Sequence, residues 1–194
     1  MNRRIFTAAL SALLLTGASA LAQSTSWTID KNHTQVDFAI KHAMVSTVRG
    51  SLGGVNGTVI WDDKDPTKSS VEATITSATV TTNNEARDKH LKSPDFFDVE
   101  KYPTLTFKST SVQSLGGKLQ VTGDLTLAGT TKSVTLTVDG PTAPVKGQGG
   151  KLVTGFSATG MLKRSDFNFG SKFGLPTLSD EVQFTIDVEA GRQP

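Results

Sequence analysis

Three histidines are the residues of this 194-residue chain best suited to metal or acid–base chemistry, and their spacing argues against both. His33 and His42 lie nine apart, so on one regular strand they point to opposite faces and cannot share a metal without a bulge. His90 stands in a separate segment. No His-x-His or His-Glu-x-x-His spacing occurs, and with no cysteine there is neither a thiolate metal site nor a cysteine nucleophile. His33 and His42 are therefore expected to make structural hydrogen bonds at strand ends. Serines and threonines abound, yet no Gly-x-Ser-x-Gly elbow and no glycine-rich loop before a helix is present. The paired acids Asp62-Asp63, followed by Lys64 and Pro66, read as solvated turn residues. The sequence thus predicts no catalytic residues, no metal, no cofactor and no enzymatic activity. The polar groups that remain are Arg87, Asp88, His90 and Lys92, close enough to share one helix face. Two roles are open to them. Arg87, His90 and Lys92 could face a phosphate or quinone head group, and Arg87 with Asp88 could anchor the helix. Arg164 and Asp166 suggest a second structural pair.

The element that carries these groups is the one clear helical insertion, near 83–98. Thr82 with Glu85 three residues on suggests a capping box, and Ser93-Pro94 supplies the stop. Everything around it alternates with period two. Val36, Phe38 and Ile40 share one face. Leu119, Val121, Leu125 and Leu127 share another, as do Val134, Leu136 and Val138, and Val182, Phe184, Ile186 and Val188. Further strands are expected near 55–62, 70–80, 104–113 and 151–163. Gly116-Gly117, Asp139-Gly140-Pro141 and Gly149-Gly150 punctuate them. One oily and one hydroxyl-rich face per strand is the pattern of antiparallel sheet around a single interior. Periodicity alone leaves sandwich and barrel both open; about eight such strands can close into a barrel that just fills itself or holds one ligand. The expected cavity wall is Phe38, Ile40, Phe107, Leu125, Leu127, Leu136, Phe156, Phe184 and Ile186. A helix laid over such a chain has an open barrel end to cover.

The first 22 residues read differently. Arg3 and Arg4 precede an apolar run from Ile5 to Leu15, and Ala20-Leu21-Ala22 offers a small-x-small cleavage site. The expectation is a secretory signal peptide over 1–22, cleaved after Ala22, and one domain over 23–194, periplasmic or secreted. The whole chain carries 20 basic and 18 acidic residues, so loss of Arg3 and Arg4 leaves the charges balanced. A neutral domain gives no electrostatic case for nucleic acid, and no stable membrane insertion is expected.

Several motifs in order resemble one family. Trp27-Thr28-Ile29-Asp30, His33 and Val36-x-Phe38-x-Ile40-x-His42 resemble the opening of the YceI-like family of polyisoprenoid-binding proteins. The similarity is strongest at Arg87-Asp88-x-His90-Leu91-Lys92-Ser93-x-Asp95-Phe96-Phe97-Asp98, then Tyr102-Pro103 and Phe107-x-Ser109. It continues through Gly123-x-Leu125-Thr126-Leu127, Gly129-x-Thr131-Lys132, Arg164-Ser165-Asp166-Phe167 and the Asp180-Glu181-Val182 strand. Ala128 departs from the polar residue that the family often carries there. The resemblance implies an all-β, extended, antiparallel lipocalin-like barrel, a long isoprenoid or similar amphiphilic lipid in its cavity, and often a homodimer. Two other readings compete. One is an enzyme acting on a lipid-like substrate in the same barrel. The other is a filled-core module partnering a membrane redox protein.

Overall fold

The structure, a computed structural model, describes residues 24–193. The expected signal peptide over 1–22 lies outside the described residues. Along the chain run β1 (Ser24–Ile29), β2 (Gln35–His42), β3 (Ser46–Leu52), β4 (Asn56–Asp62), β5 (Ser70–Thr76), α1 (Glu85–Leu91), β6 (Thr104–Leu115), β7 (Lys118–Leu127), β8 (Thr130–Asp139), β9 (Val145–Lys146), β10 (Leu152–Lys163) and β11 (Leu178–Arg192). The expected strands are present. β1, β3 and the two-residue β9 are additional to them.

Every strand pairing is antiparallel, and the sheet closes on itself. β11 pairs with β10 on one side. On its other side it pairs first with β2 and then with β1. β1 leads through β4, β5, β6, β7 and β8 back to β10. β1 and β2 run the same way along β11, and β3 and β4 both return. Each couple is one long strand broken in the middle, and the two-residue β9 only edges β10, so the eleven strands make an eight-stranded barrel. The break at Gly53-Gly54 needs its glycine, because Gly54 sits at φ 64°.

The alternation read from sequence becomes the wall. On β7, Leu119, Val121, Leu125 and Leu127 are buried, as are Val134, Leu136 and Val138 on β8. β6 changes parity: Leu105 and Phe107 point inward, and so does Val112. A register shift between Ser109 and Ser111 inserts the extra residue that makes this possible.

At one level the wall carries a row of four paired residues, Gly50–Phe38–Phe184–Gly160, crossing β3, β2, β11 and β10. The two phenyl rings lie over the two glycines. A Cβ on Gly160 would fall 2.8 Å from Cε2 of Phe184, and one on Gly50 would fall 2.7 Å from Cγ2 of Thr82.

Strand directions gather four connections at one end: the β2–β3 turn, the β5–β6 segment with α1, the β7–β8 turn and the β10–β11 loop. β8 and β10 pair only through Thr137–Asp139 and Ser157–Thr159. Toward that end the two strands part, and the 3-10 turn Arg164–Phe167 sits between them with Phe167 buried.

Candidate functional site

The barrel is not filled. It encloses a cavity of about 670 Å³, within the range of small-molecule sites and far above a packing defect. Trp61 and Phe156, edge to face at 6.1 Å between ring centroids, line it toward the far end. All nine residues expected on the wall do line it: Phe38, Ile40, Phe107, Leu125, Leu127, Leu136, Phe156, Phe184 and Ile186.

The ionisable groups on the lining are His42, Arg87, His90 and Arg164, and no carboxylate or lysine joins them. His42 ends the inward row Val36, Phe38, Ile40, so it faces the cavity. His33 is off the strand altogether. It sits in the exposed turn before β2, its Nδ1 3.1 Å from Asp30 and 3.8 Å from Glu189. Hydrogen bonding to Asp30 raises the His33 pKa, helped by the charges of Asp30 and Glu189. The ligand atoms of Asp30, His33 and Glu189 lie within 4.8 Å of one another, on the outer surface and away from the cavity.

α1 is started by Asn84, whose side chain accepts the Arg87 N–H at 3.0 Å. The expected cap, Thr82, is committed elsewhere. Its hydroxyl donates to Asp88 at 2.5 Å and accepts from Nε of Arg87 at 2.7 Å. Asp88 also accepts from the Thr82 N–H at 2.7 Å and from the Thr81 hydroxyl at 3.0 Å. Desolvation raises the Asp88 pKa, but the hydrogen bonds from Thr82 and Thr81 outweigh it, and the carboxyl ends below its usual range. Thr81 is bridged by backbone to Ser51 of β3. Asp88 and Arg87 therefore stitch the helix to the wall. Lys92 caps the helix C-terminus and lines a shallow outer groove with Asn84 and Glu85, not the cavity.

The lid has a second half, the β10–β11 loop. Phe96 stacks on Phe173 at 5.3 Å, and Phe169 packs edge-on against Phe96 and Phe97. His90 sets its ring edge against Phe96 and Phe173 and bonds Asp95 at 3.0 Å. Lys172 reaches across to the same carboxylate at 2.5 Å. The hydrogen bonds from Lys172 and then His90 hold the Asp95 carboxyl below the usual range.

Arg164 organises that loop. It is 5 % exposed. Its guanidinium donates to the backbone carbonyls of Ser179, Phe169, Gly170 and Phe173. The expected pairing with Asp166 does not occur. Burial lowers the Arg164 pKa, and the charge of Asp180 opposes that shift. Nor is Asp62 a solvated turn residue. It is buried, and its carboxylate accepts the N–H groups of Lys64 and Asp65. No side-chain pattern signals the Arg164 cage, because its acceptors are backbone oxygens. No helix among the described residues is long and apolar enough to cross a membrane.

Against known proteins, a family model for the YceI-like domain matches residues 27–190. "Protein YceI" of Salmonella newport is 40% identical over 199 residues, covering 100% of both chains. The crystal structure of Campylobacter jejuni YCEI protein matches with a TM-score of 0.70 at 35% identity, over 79% of this chain and 90% of that one. A polyisoprenoid binding domain from Saccharophagus degradans shares the fold, with a TM-score of 0.64 at 13% identity over 87% of this chain and 99% of that one.

Proposed function

This chain belongs to the YceI-like family, and from that premise we propose that it is an exported binding protein. It sequesters or carries a long-chain isoprenoid, polyprenyl or quinone-type, or a similar amphiphile, and does no chemistry on it. The observation that carries the reading is the about 670 Å³ interior, walled by Phe, Leu, Ile and Val, with its ionisable lining residues limited to two arginines and two histidines. The Saccharophagus degradans neighbour is itself a polyisoprenoid binding domain.

An oily wall suffices for such a ligand. Each buried CH₂ contributes about 0.8 kcal/mol, so a five-carbon unit contributes roughly 3–4 kcal/mol before the costs of association and ordering. The nine wall residues take the tail. Arg87 and His90, which reach the cavity from the lid, are the head-group contacts of this reading. Lys92, turned to the outer groove, drops out of it. The catalytic alternative gains little here: the lining holds no carboxylate, and the Thr82 hydroxyl, which donates to Asp88, is held by Arg87 as part of the helix anchor. Export follows from the leader read in residues 1–22.

The test is native mass spectrometry of protein taken from its own exported compartment, followed by lipid extraction. A stoichiometric isoprenoid or quinone is the expected result. Another amphiphile would keep the container and discard the isoprenoid. Lipid-free protein that also refuses added geranylgeraniol would overturn the reading.

A further inference from the structure

Six large apolar side chains are well exposed among the described residues, and three of them meet at one rim. Met44 and Val45 form the tip of the β2–β3 turn, 50 % and 84 % exposed, and Leu175, 69 % exposed, sits in the β10–β11 loop. The two tips are tied together. The Ala43 N–H donates to the Thr177 carbonyl at 2.8 Å, and His42 pairs with Leu178. Both tips flank the cavity mouth, because His42, Ser46, Thr177 and Leu178, their neighbours in sequence, all line the cavity.

The tip backbone is unusual for its residues. Ala43 and Met44 hold φ of 48° and 59°, a region that Asn and Gly occupy at hairpins with little penalty. Local folding gains nothing from apolar side chains there, in water and on strained backbone.

The two tip segments themselves carry cations and no acid. From Phe38 to Trp61 the chain carries Lys41 and Arg49, both exposed, and no acid; from Phe167 to Leu178 it carries Lys172 and no acid. The nearest acids belong to neighbouring elements. Asp95 takes Lys172, Asp180 accepts from the Ser165 hydroxyl and N–H, and the exposed Glu181 pairs in register with Lys163, which leaves Lys41 and Arg49 as the cations beside the tips. A neutral domain thus has a basic, apolar corner beside its cavity mouth. Apolar tips that enter the acyl boundary, ringed by cations that meet head groups, are what an interfacial anchor needs.

We infer that Met44, Val45 and Leu175 dock this barrel, reversibly, on the surface of an anionic phospholipid bilayer. Docking sets the cavity mouth at the interface, so that a tail passes between membrane and barrel without crossing water. The inference rests on the container reading for its purpose, but its test does not.

The full exported chain would be floated with phosphatidylethanolamine–phosphatidylglycerol vesicles and with neutral phosphatidylcholine vesicles. The V45D/L175D variant would be compared with L115D/V145D, which alters two exposed apolar residues outside the rim. All these positions are exposed, and circular dichroism checks folding. The expected result is binding to anionic vesicles that falls about tenfold or more in V45D/L175D, survives in L115D/V145D and weakens with salt. Since the chain has no cysteine, M44C carrying an environment-sensitive dye should shift to the blue on those vesicles. Wild-type protein that stays with the aqueous fraction overturns the inference. So does vesicle binding that V45D/L175D keeps in full. A wild-type dimer that V45D/L175D breaks, with vesicle binding unchanged, also overturns it and makes the corner a contact between copies. Geranylgeraniol uptake without vesicles is read separately from the fluorescence of Trp61, which lines the cavity. Loss of uptake with flotation intact would remove the container, not the docking.

Discussion

Arg164 shows what a single buried cation does when no carboxylate touches it. Its planar fork satisfies four carbonyls at 2.8–3.1 Å, a geometry that lysine cannot copy. Arg164→Met should strand those oxygens and cost about 2–4 kcal/mol in chemical unfolding. Arg164→Lys should recover only part of that loss, since one ammonium cannot reach all four. An unchanged midpoint for the methionine variant would refute the cage. The same residue marks where sequence reading stops. Asp166 was the visible partner because side chains have names in a sequence and backbone acceptors do not. The wall was legible for the opposite reason. Inward and outward positions alternate, so Phe38, Leu125 and Phe184 declare their face by parity alone. Parity also describes His42, two steps on from Ile40, which was instead expected to serve as a strand-end hydrogen-bonding group.

At the level of elements, the insertion is held by its acid more than by its cap. Asp88 has a folded pKa below that of the unfolded chain, so its contribution is present above the unfolded value and lost as pH falls through the folded one. Asp88→Asn should lower the melting temperature by several degrees at pH 7. The gap to wild type should close below about pH 4, in thermal melts across the acid range. A gap that persists there would mean packing, not charge, is responsible. The helix was foreseeable from its composition, but its start was not. Thr82 fits a capping box in sequence, and only the fold brings Asp88 and Arg87 onto its hydroxyl, leaving the cap to Asn84. The other half of the lid gave no periodic signal, because Phe169 and Phe173 act through contacts to a segment about seventy residues away. Phe96→Ala should loosen the closure. An aromatic pair contributes about 0.5–1.5 kcal/mol beyond its area, so release of bound geranylgeraniol should quicken up to about tenfold in stopped flow. Release at the wild-type rate would place the exit elsewhere.

For the molecule as a whole, closure of the sheet turns a list of apolar faces into one lumen with a lid at one end and Trp61 toward the other. That arrangement makes a ruler. Trp27 and Trp61 are the two tryptophans, and Trp27→Phe leaves only the one on the lining. Its emission should ignore short prenols and respond beyond a threshold chain length. A response independent of length would mean that the tail does not run down the barrel. Gly53-Gly54 marks the break between β3 and β4 in the sequence, but nothing there says that the two fragments continue one line, as β1 and β2 also do. The row Gly50–Phe38–Phe184–Gly160 has a consequence for what the lumen admits. Its calibre is set by two absent side chains, since the rings can lie back against the wall only where the opposite strand offers no Cβ. One methyl added at Gly160, behind Phe184 and out of reach of any cargo, would swing that ring inward and throttle the bore, refusing thick or ring-bearing chains before slender ones.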